Sequence, residues 1–222
     1  MQNKSENEIK GDKINAFIQR NRKNIFLSLC IIVILLAGSV AALSINDVLR
    51  KKSIAEVGEF SKRYETLRQE TASDSSDTEA LLENLNNFAK GKSGFAGGKA
   101  WSIIAQIHRD RKEWSEAEDA WLNAAKASLK TYLGPVSFYN AAVAAEEQGK
   151  WKQAVEHYEK SLSVPVEFPA APHAQFAIGR LYEEMDDVPA AVEAYRVVLN
   201  KWPNITTWVS LANSRIIALE TR

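Results

Sequence analysis

The sequence predicts an all-α protein with a single N-terminal transmembrane helix, an α-solenoid of about three to four helix pairs and a C-terminal capping helix. Three observations carry this prediction: a long uncharged segment near the N-terminus, small and aromatic residues that recur every 37 residues, and apolar residues at helical spacing within each interval. A fixed period of about 20 to 50 residues is the sequence sign of stacked repeats. Apolar pairs at i and i+3 lie on one face of a helix.

The composition excludes several classes of protein. The chain has 222 residues, of which 45% are apolar and 25% are charged, as in ordinary folded proteins. Its 28 basic and 28 acidic residues give no net positive field, so we expect no nucleic-acid partner. The single cysteine, Cys30, lies inside the most apolar stretch, so the chain cannot form an internal disulfide.

Residues 25–45 are predicted to be a transmembrane anchor. The uncharged run extends over residues 24–46, which is long enough as a helix to cross a hydrocarbon core of about 30 Å. A cleaved signal peptide is the alternative, because residues 39–41 resemble a small-residue cleavage site. The apolar part of such peptides usually has only about 7 to 15 residues, which favours the anchor.

The charges that flank the anchor predict its orientation. Within 15 residues of the apolar run, five basic residues precede it and three follow it: Lys10, Lys13, Arg20, Arg22 and Lys23 against Arg50, Lys51 and Lys52. Cytoplasmic flanks carry the excess of Lys and Arg. We therefore expect residues 1–24 to form a cytoplasmic basic segment and residues 46–222 to lie outside the cytoplasm. In a double-membrane bacterium this means an anchor in the inner membrane and a C-terminal domain in the periplasm.

Residues 46–97 are predicted to hold an amphipathic helix and a degenerate first repeat. Val57, Phe60, Tyr64 and Leu67 follow the spacing of a helix with one apolar face. The polar run at residues 71–78 is typical of a solvated loop.

Three further units are predicted at residues 98–134, 135–171 and 172–205, followed by a capping helix at residues 206–222. A column of small residues is followed, four positions later, by a column of aromatic residues. The small column is Ala80, Ala117, Ala154 and Ala191, and the aromatic column is Trp121, Tyr158 and Tyr195. Small residues let neighbouring helices approach closely, so we interpret both columns as packing residues without a chemical role.

These columns resemble the tetratricopeptide (TPR) repeat, a helix-turn-helix unit of about 34 residues. The last unit matches its pattern best, with the motif positions occupied by Ile178, Gly179, Tyr182, Ala191, Tyr195 and Pro203. The resemblance implies that the first helix of every unit lines the inner wall of a superhelix.

The sequence offers little for catalysis. His108, His157 and His173 do not form a metal-binding pattern. The glycine-rich residues 91–98 lack the spacing and the preceding strand of a phosphate-binding loop, and we interpret them as a loop between helices. We expect no enzymatic activity, no metal and no cofactor.

A partner-binding groove is predicted on the inner wall, because stacked helix pairs form an extended concave surface. Its candidate residues come from the first helix of three units: Ser102, Gln106, Arg109, Tyr139, Asn140, Val143, Glu146, Phe176, Arg180 and Glu183. Aromatic and Arg side chains are the usual anchors of protein contacts. For Tyr139 and Phe176, packing against the neighbouring helix is the alternative.

The layout of a basic segment, one anchor and a repeat domain resembles bacterial envelope TPR proteins, and most closely the ancillary SecYEG translocon subunit family. That resemblance implies translocon subunits, periplasmic chaperones or exported chains as partners. Residues 168–205 also resemble repeats of the Tol-Pal cell-division coordinator and of the lipoprotein that assists outer-membrane barrel assembly. A scaffold for envelope assembly or cell division, and a self-associating homo-oligomer, therefore remain alternatives.

Overall fold

The computed structural model describes residues 6–69 and 75–221, and every regular element within those ranges is a helix. The helices are α1 (Glu6–Gln69), α2 (Ser75–Ala89), α3 (Gly94–Asp110), α4 (Trp114–Ala127), α5 (Leu133–Glu146), α6 (Trp151–Ser163), α7 (Ala171–Glu184), α8 (Val188–Lys201) and α9 (Thr206–Glu220). The predicted all-α solenoid is confirmed.

The chain divides into two compact units, Met1–Lys52 and Ser53–Arg222. In the first unit the apolar side chains of α1 are exposed, with Phe26 and Leu43 each 69% accessible. Within the described residues, one helix is long and apolar enough to cross a membrane, and it lies in Phe26–Gln69. Length and composition alone make it a candidate span.

The second unit is a stack of antiparallel helices. Each helix from α2 to α9 packs against the next, and α3 also packs against α5, as α7 does against α9. Short connections make sequential helices antiparallel neighbours. The odd-numbered helices therefore form one layer, the inner layer of the solenoid, and the even-numbered helices form the other.

From the second repeat onward, the two packing columns lie in the interior of this unit. Ala154 is fully buried, and Tyr158 is 1% exposed. One interval later, Tyr195 lies against Gly179, where an added Cβ would come within 2.6 Å of the tyrosine ring. The absence of a side chain at Gly179 is therefore what lets α7 and α8 approach closely.

The first repeat departs from the predicted register. Ala80 is exposed, and α2 buries Leu81 and Leu85 instead. The apolar face of the amphipathic helix behaves as expected, since Val57 and Tyr64 are buried. The helix α2 already begins at Ser75, so the expected loop at residues 71–78 is wrong for its last part. Residues 71–74 of that loop lie outside the described residues.

The glycine-rich residues 91–98 are only partly a loop, because α3 begins at Gly94. Gly98 lies inside the helix, and a Cβ there would come within 2.4 Å of the Ser128 side chain. These glycines thus serve the close contact between α3 and the end of α4, and the expectation of a loop missed that packing role.

A buried carboxylate joins α4 to α6. Glu118 is 3% exposed, and three nitrogen donors lie around it: Gln148 Nε2 at 2.8 Å, Gln153 Nε2 at 2.5 Å and His157 Nε2 at 2.9 Å. The Lys150 ammonium lies 3.4 Å away and is partly exposed. Buried charges persist in proteins when they are paired and hydrogen-bonded, as this one is.

Candidate functional site

The inner face of the solenoid is the surface of α3, α5, α7 and α9, and α3 offers less of it than the sequence predicts. Ser102 is 3% exposed, and its hydroxyl donates to the Gly98 carbonyl at 2.7 Å. Ser102 is therefore buried within the repeat unit and is not available to a partner. Gln106 donates to the Ser102 carbonyl, and Arg109 pairs with the neighbouring Asp110.

Tyr139 on α5 makes several contacts within the chain. Its ring makes edge contacts with Tyr158 and Phe168, at centroid distances of 5.3 and 5.7 Å. Its hydroxyl lies 2.5 Å from His173 Nδ1 on α7. Burial lowers the pKa of His173, so we assign a neutral imidazole that accepts this bond from the tyrosine. Tyr139 therefore joins two helices of the inner layer.

His173 begins an aromatic row that sequence reasoning missed. Its ring lies 4.7 Å from Trp208 on α9, and Trp208 lies 5.5 Å from Phe176. Phe176 also packs at 5.0 Å from Tyr195 in the outer layer. One signal could have found His173, because it precedes Phe176 by three residues and so shares its helix face.

Glu146 at the end of α5 joins three helices. It accepts the Tyr158 hydroxyl at 2.6 Å and forms an ion pair with Arg180 of α7. The Glu146 side chain is 14% exposed, whereas that of Arg180 is 44% exposed. Burial raises the pKa of Tyr158, and the bond to Glu146 adds to the rise. Glu146 is thus committed to the fold, and Arg180 keeps part of its guanidinium open.

The same arrangement recurs one interval later. Glu183 accepts the Tyr195 hydroxyl at 2.5 Å and Arg215 Nε at 2.9 Å. The Arg215 side chain is 43% exposed. Each carboxylate therefore fastens one repeat to the next helix of the inner layer, and each arginine leaves polar surface on the inner face.

Val143 and Asn140 are the two remaining residues of the predicted groove. Val143 packs against the core formed around Ala142 and Tyr158. Asn140 is partly exposed, and no hydrogen bond to its side chain occurs in the described ranges 6–69 and 75–221. The inner face thus presents a free amide, two half-exposed guanidinium groups and partly exposed aromatic rings. Such a surface can hydrogen-bond and pack against a polypeptide.

We expect alkaline pH to destabilise the repeat unit through its buried tyrosines. Burial raises the pKa of Tyr158 and Tyr195 in the folded chain, so the unfolded chain loses these protons first, near pH 10. Their contribution to stability is complete below that pH and is lost above it, at about 1.4 kcal/mol per pH unit for each tyrosine. Urea unfolding of the full chain in detergent, followed by tryptophan fluorescence from pH 8 to 11, measures the loss.

The double variant Tyr158→Phe with Tyr195→Phe should lose less stability over that pH range than the wild type. Tyr132→Phe is the matched control, because Tyr132 is 58% exposed. Parallel pH curves for the wild type and the double variant would contradict the assignment.

In the part of the chain that the structure describes, no cluster of three or more His, Cys, Asp or Glu side chains could hold a metal ion.

Comparison with known proteins gives one family match and three similar proteins. The tetratricopeptide repeat family matches residues 139–204. A "TPR repeat-containing protein" of Treponema pallidum (strain Nichols) is 30% identical over 227 residues, which cover 93% of each chain. Among solved structures, the Arabidopsis OM64 TPR domain is 19% identical with a TM-score of 0.42, and it covers 54% of this chain and 93% of its own. The Sgt2 TPR domain from Aspergillus fumigatus is 20% identical with a TM-score of 0.45, at 59% and 85% coverage.

Proposed function

Because the chain belongs to the tetratricopeptide repeat family, we propose that it is a non-enzymatic adaptor that holds protein partners on its inner face. The observation that supports this best is the combination of Asn140, Arg180 and Arg215 with the aromatic row on one wall. Arg and aromatic residues supply most of the binding energy in protein interfaces. Stacked repeats present such residues along an extended surface.

We propose further that residues 25–45 anchor the adaptor in a membrane. Large apolar side chains of this segment are 50% to 69% exposed, from Phe26 to Leu43, so the described chain does not cover them. An uncovered apolar patch of this extent marks a contact with lipid or with another protein. A length sufficient to span the hydrocarbon core favours lipid.

The basic residues before the anchor support a cytoplasmic N-terminus and a periplasmic repeat unit at a bacterial inner membrane. The layout of the chain supports a role in protein export beside the Sec translocon. Translocon subunits, periplasmic chaperones or exported chains would then be the partners. Envelope assembly or cell division is one alternative role, and self-association of the repeats is another.

Protease protection tests the anchor and its orientation together. In spheroplasts, added trypsin should digest the repeat unit, which is rich in exposed Lys and Arg, and should leave a tag fused before residue 1 intact. In intact cells both parts should survive. A repeat unit that resists trypsin in spheroplasts, yet is digested after detergent lysis, would contradict the periplasmic placement.

A further inference from the structure

Four helix connections lie together on one edge of the repeat unit: residues 90–93, 128–132, 164–170 and 202–205. Antiparallel packing places the connections that precede α3, α5, α7 and α9 at the same end of the helices. Two contacts bear this out. The Phe95 ring lies 6.2 Å from the Tyr132 ring, and one cleft is lined by residues of both 164–169 and 201–205. We call this surface the connection edge.

The connection edge is basic. Six exposed lysines lie in the connections or in the helix turns next to them: Lys90, Lys92, Lys126, Lys130, Lys160 and Lys201. None of the six has an ion-pair partner in the described ranges, and the connections themselves contain a single acidic residue, Glu167. Lysine is favoured at helix C-termini, which accounts for Lys126, Lys160 and Lys201. It does not account for the three lysines inside the connections.

The opposite edge of the repeat unit carries charges of both signs, since its turns expose Lys112 and Lys150. The turns between α5 and α6 and between α7 and α8 expose Glu147, Glu184, Asp186 and Asp187. The unit as a whole has 19 basic and 24 acidic residues, so the predominance of lysine on the connection edge is a local feature. A surface of one sign attracts a partner of the opposite sign.

Apolar and aromatic side chains stand among the lysines. Leu129 is 47% exposed, Tyr132 58% and Ile205 40%. Trp202 lines the cleft on this edge, with Lys201 Nζ 5.9 Å from its ring centre. Lysine with tyrosine, tryptophan and aliphatic residues is the composition of surfaces at the headgroup level of a bilayer, where aromatic rings and lysine stems meet both water and hydrocarbon.

The chain also enters the repeat unit at this edge. Ile54, next to the first residue of the unit, lines a cleft with Phe95 and Lys99 at the start of α3. Residues 47–52 link it to the uncharged run at residues 24–46. A short covalent link raises the effective concentration of lipid at the edge.

We propose that the connection edge binds the headgroups of a bilayer that contains anionic phospholipid. This inference rests on the proposed membrane anchor. Exposed apolar residues among the lysines, and the short link to the apolar run, favour lipid over an acidic protein as the occupant. Binding of this kind leaves the opposite edge and the inner face open to the partner.

Fluorescence quenching in nanodiscs tests the proposal with the full chain. A Cys30→Ser background carries one new cysteine, either Ser93→Cys on the connection edge or Ser115→Cys on the opposite edge. Both serines are exposed, and neither side chain has a hydrogen bond in the described ranges. Each cysteine carries an environment-sensitive dye, and the discs contain a phosphatidylcholine with a nitroxide near its headgroup. The discs are otherwise neutral or rich in phosphatidylglycerol.

The dye at position 93 should be quenched about twofold more in anionic discs than in neutral discs, and about 0.5 M NaCl should remove the difference. The dye at position 115 should not respond to lipid charge. Lys130→Glu should lower the quenching at position 93 toward its value in neutral discs. Lys152→Glu, the same charge change at an exposed lysine near the opposite edge, should not.

Labelling the native Cys30 in otherwise wild-type protein tests the membrane anchor separately from the lipid-binding edge. Quenching at Cys30 without a response to lipid charge at position 93 would overturn the lipid-binding edge and leave the anchor standing. The lysines would then be assigned to an acidic protein. An unquenched Cys30 would overturn the anchor and the lipid-binding edge with it.

Discussion

Replacing Glu118 with alanine should lower the free energy of unfolding of the repeat unit by about 3 kcal/mol. The change leaves the donors of Gln148, Gln153 and His157 without their shared acceptor. In the described residues His157 Nδ1 is buried and has no hydrogen-bond partner. The imidazole ring would therefore keep no side-chain hydrogen bond once Glu118 is removed. Urea unfolding of the full chain in detergent, followed by tryptophan fluorescence, measures the loss.

Glu116→Ala is the matched control, because Glu116 lies on the same helix and is exposed. Surface substitutions of this kind usually change stability by less than about 0.5 kcal/mol. Equal stability of the two variants would mean that Glu118 does not hold α4 against α6.

Tyr158→Ala should cost about 3 to 5 kcal/mol, the range for removing a large buried aromatic ring. The ring is 1% exposed and contacts Tyr139, and its hydroxyl is bonded to Glu146. Removing it empties the core between α5 and α6 and frees Tyr139 on the inner face. Thermal unfolding monitored by circular dichroism in detergent gives the change.

Tyr158→Phe separates the two contributions of this side chain. It keeps the ring and removes one hydrogen bond, so a loss of about 1 to 3 kcal/mol is expected, with the Glu146 carboxylate left short of a donor. A Tyr158→Ala variant as stable as Tyr158→Phe would contradict the packing role of the ring.

The solenoid could be predicted because its packing repeats along the chain. Ala154 and Tyr158 are one helical turn apart and recur at 191 and 195, so a periodic pattern in the sequence is a periodic contact in space. The first repeat has no such regularity, and there the expected column fell on Ala80, one residue away from the buried Leu81. A shift of one position on a helix turns a side chain by about 100°.

The inner face was harder to predict, because exposure depends on how closely helices approach. Ser102 was expected on the groove, and the packing of the repeat unit leaves it 3% exposed. Arg180 and Glu146 were expected as separate partner contacts, and they form an ion pair across 34 positions of sequence. No local pattern reports a contact of that kind. His173 was missed for the same reason, since its partners Tyr139 and Trp208 belong to other helices.

Photocrosslinking in cells tests the central claim, that the inner face of the anchored protein holds a protein partner. A photoreactive residue at Asn140 probes the inner face, and one at the exposed Glu156 of α6 probes the outer layer. The proposed function predicts adducts from Asn140 that Glu156 does not give. Translocon subunits, chaperones or exported chains would support the Sec setting, and envelope-assembly or division proteins the alternative. Self-adducts alone, or the same adducts from both positions, would contradict partner binding on the inner face.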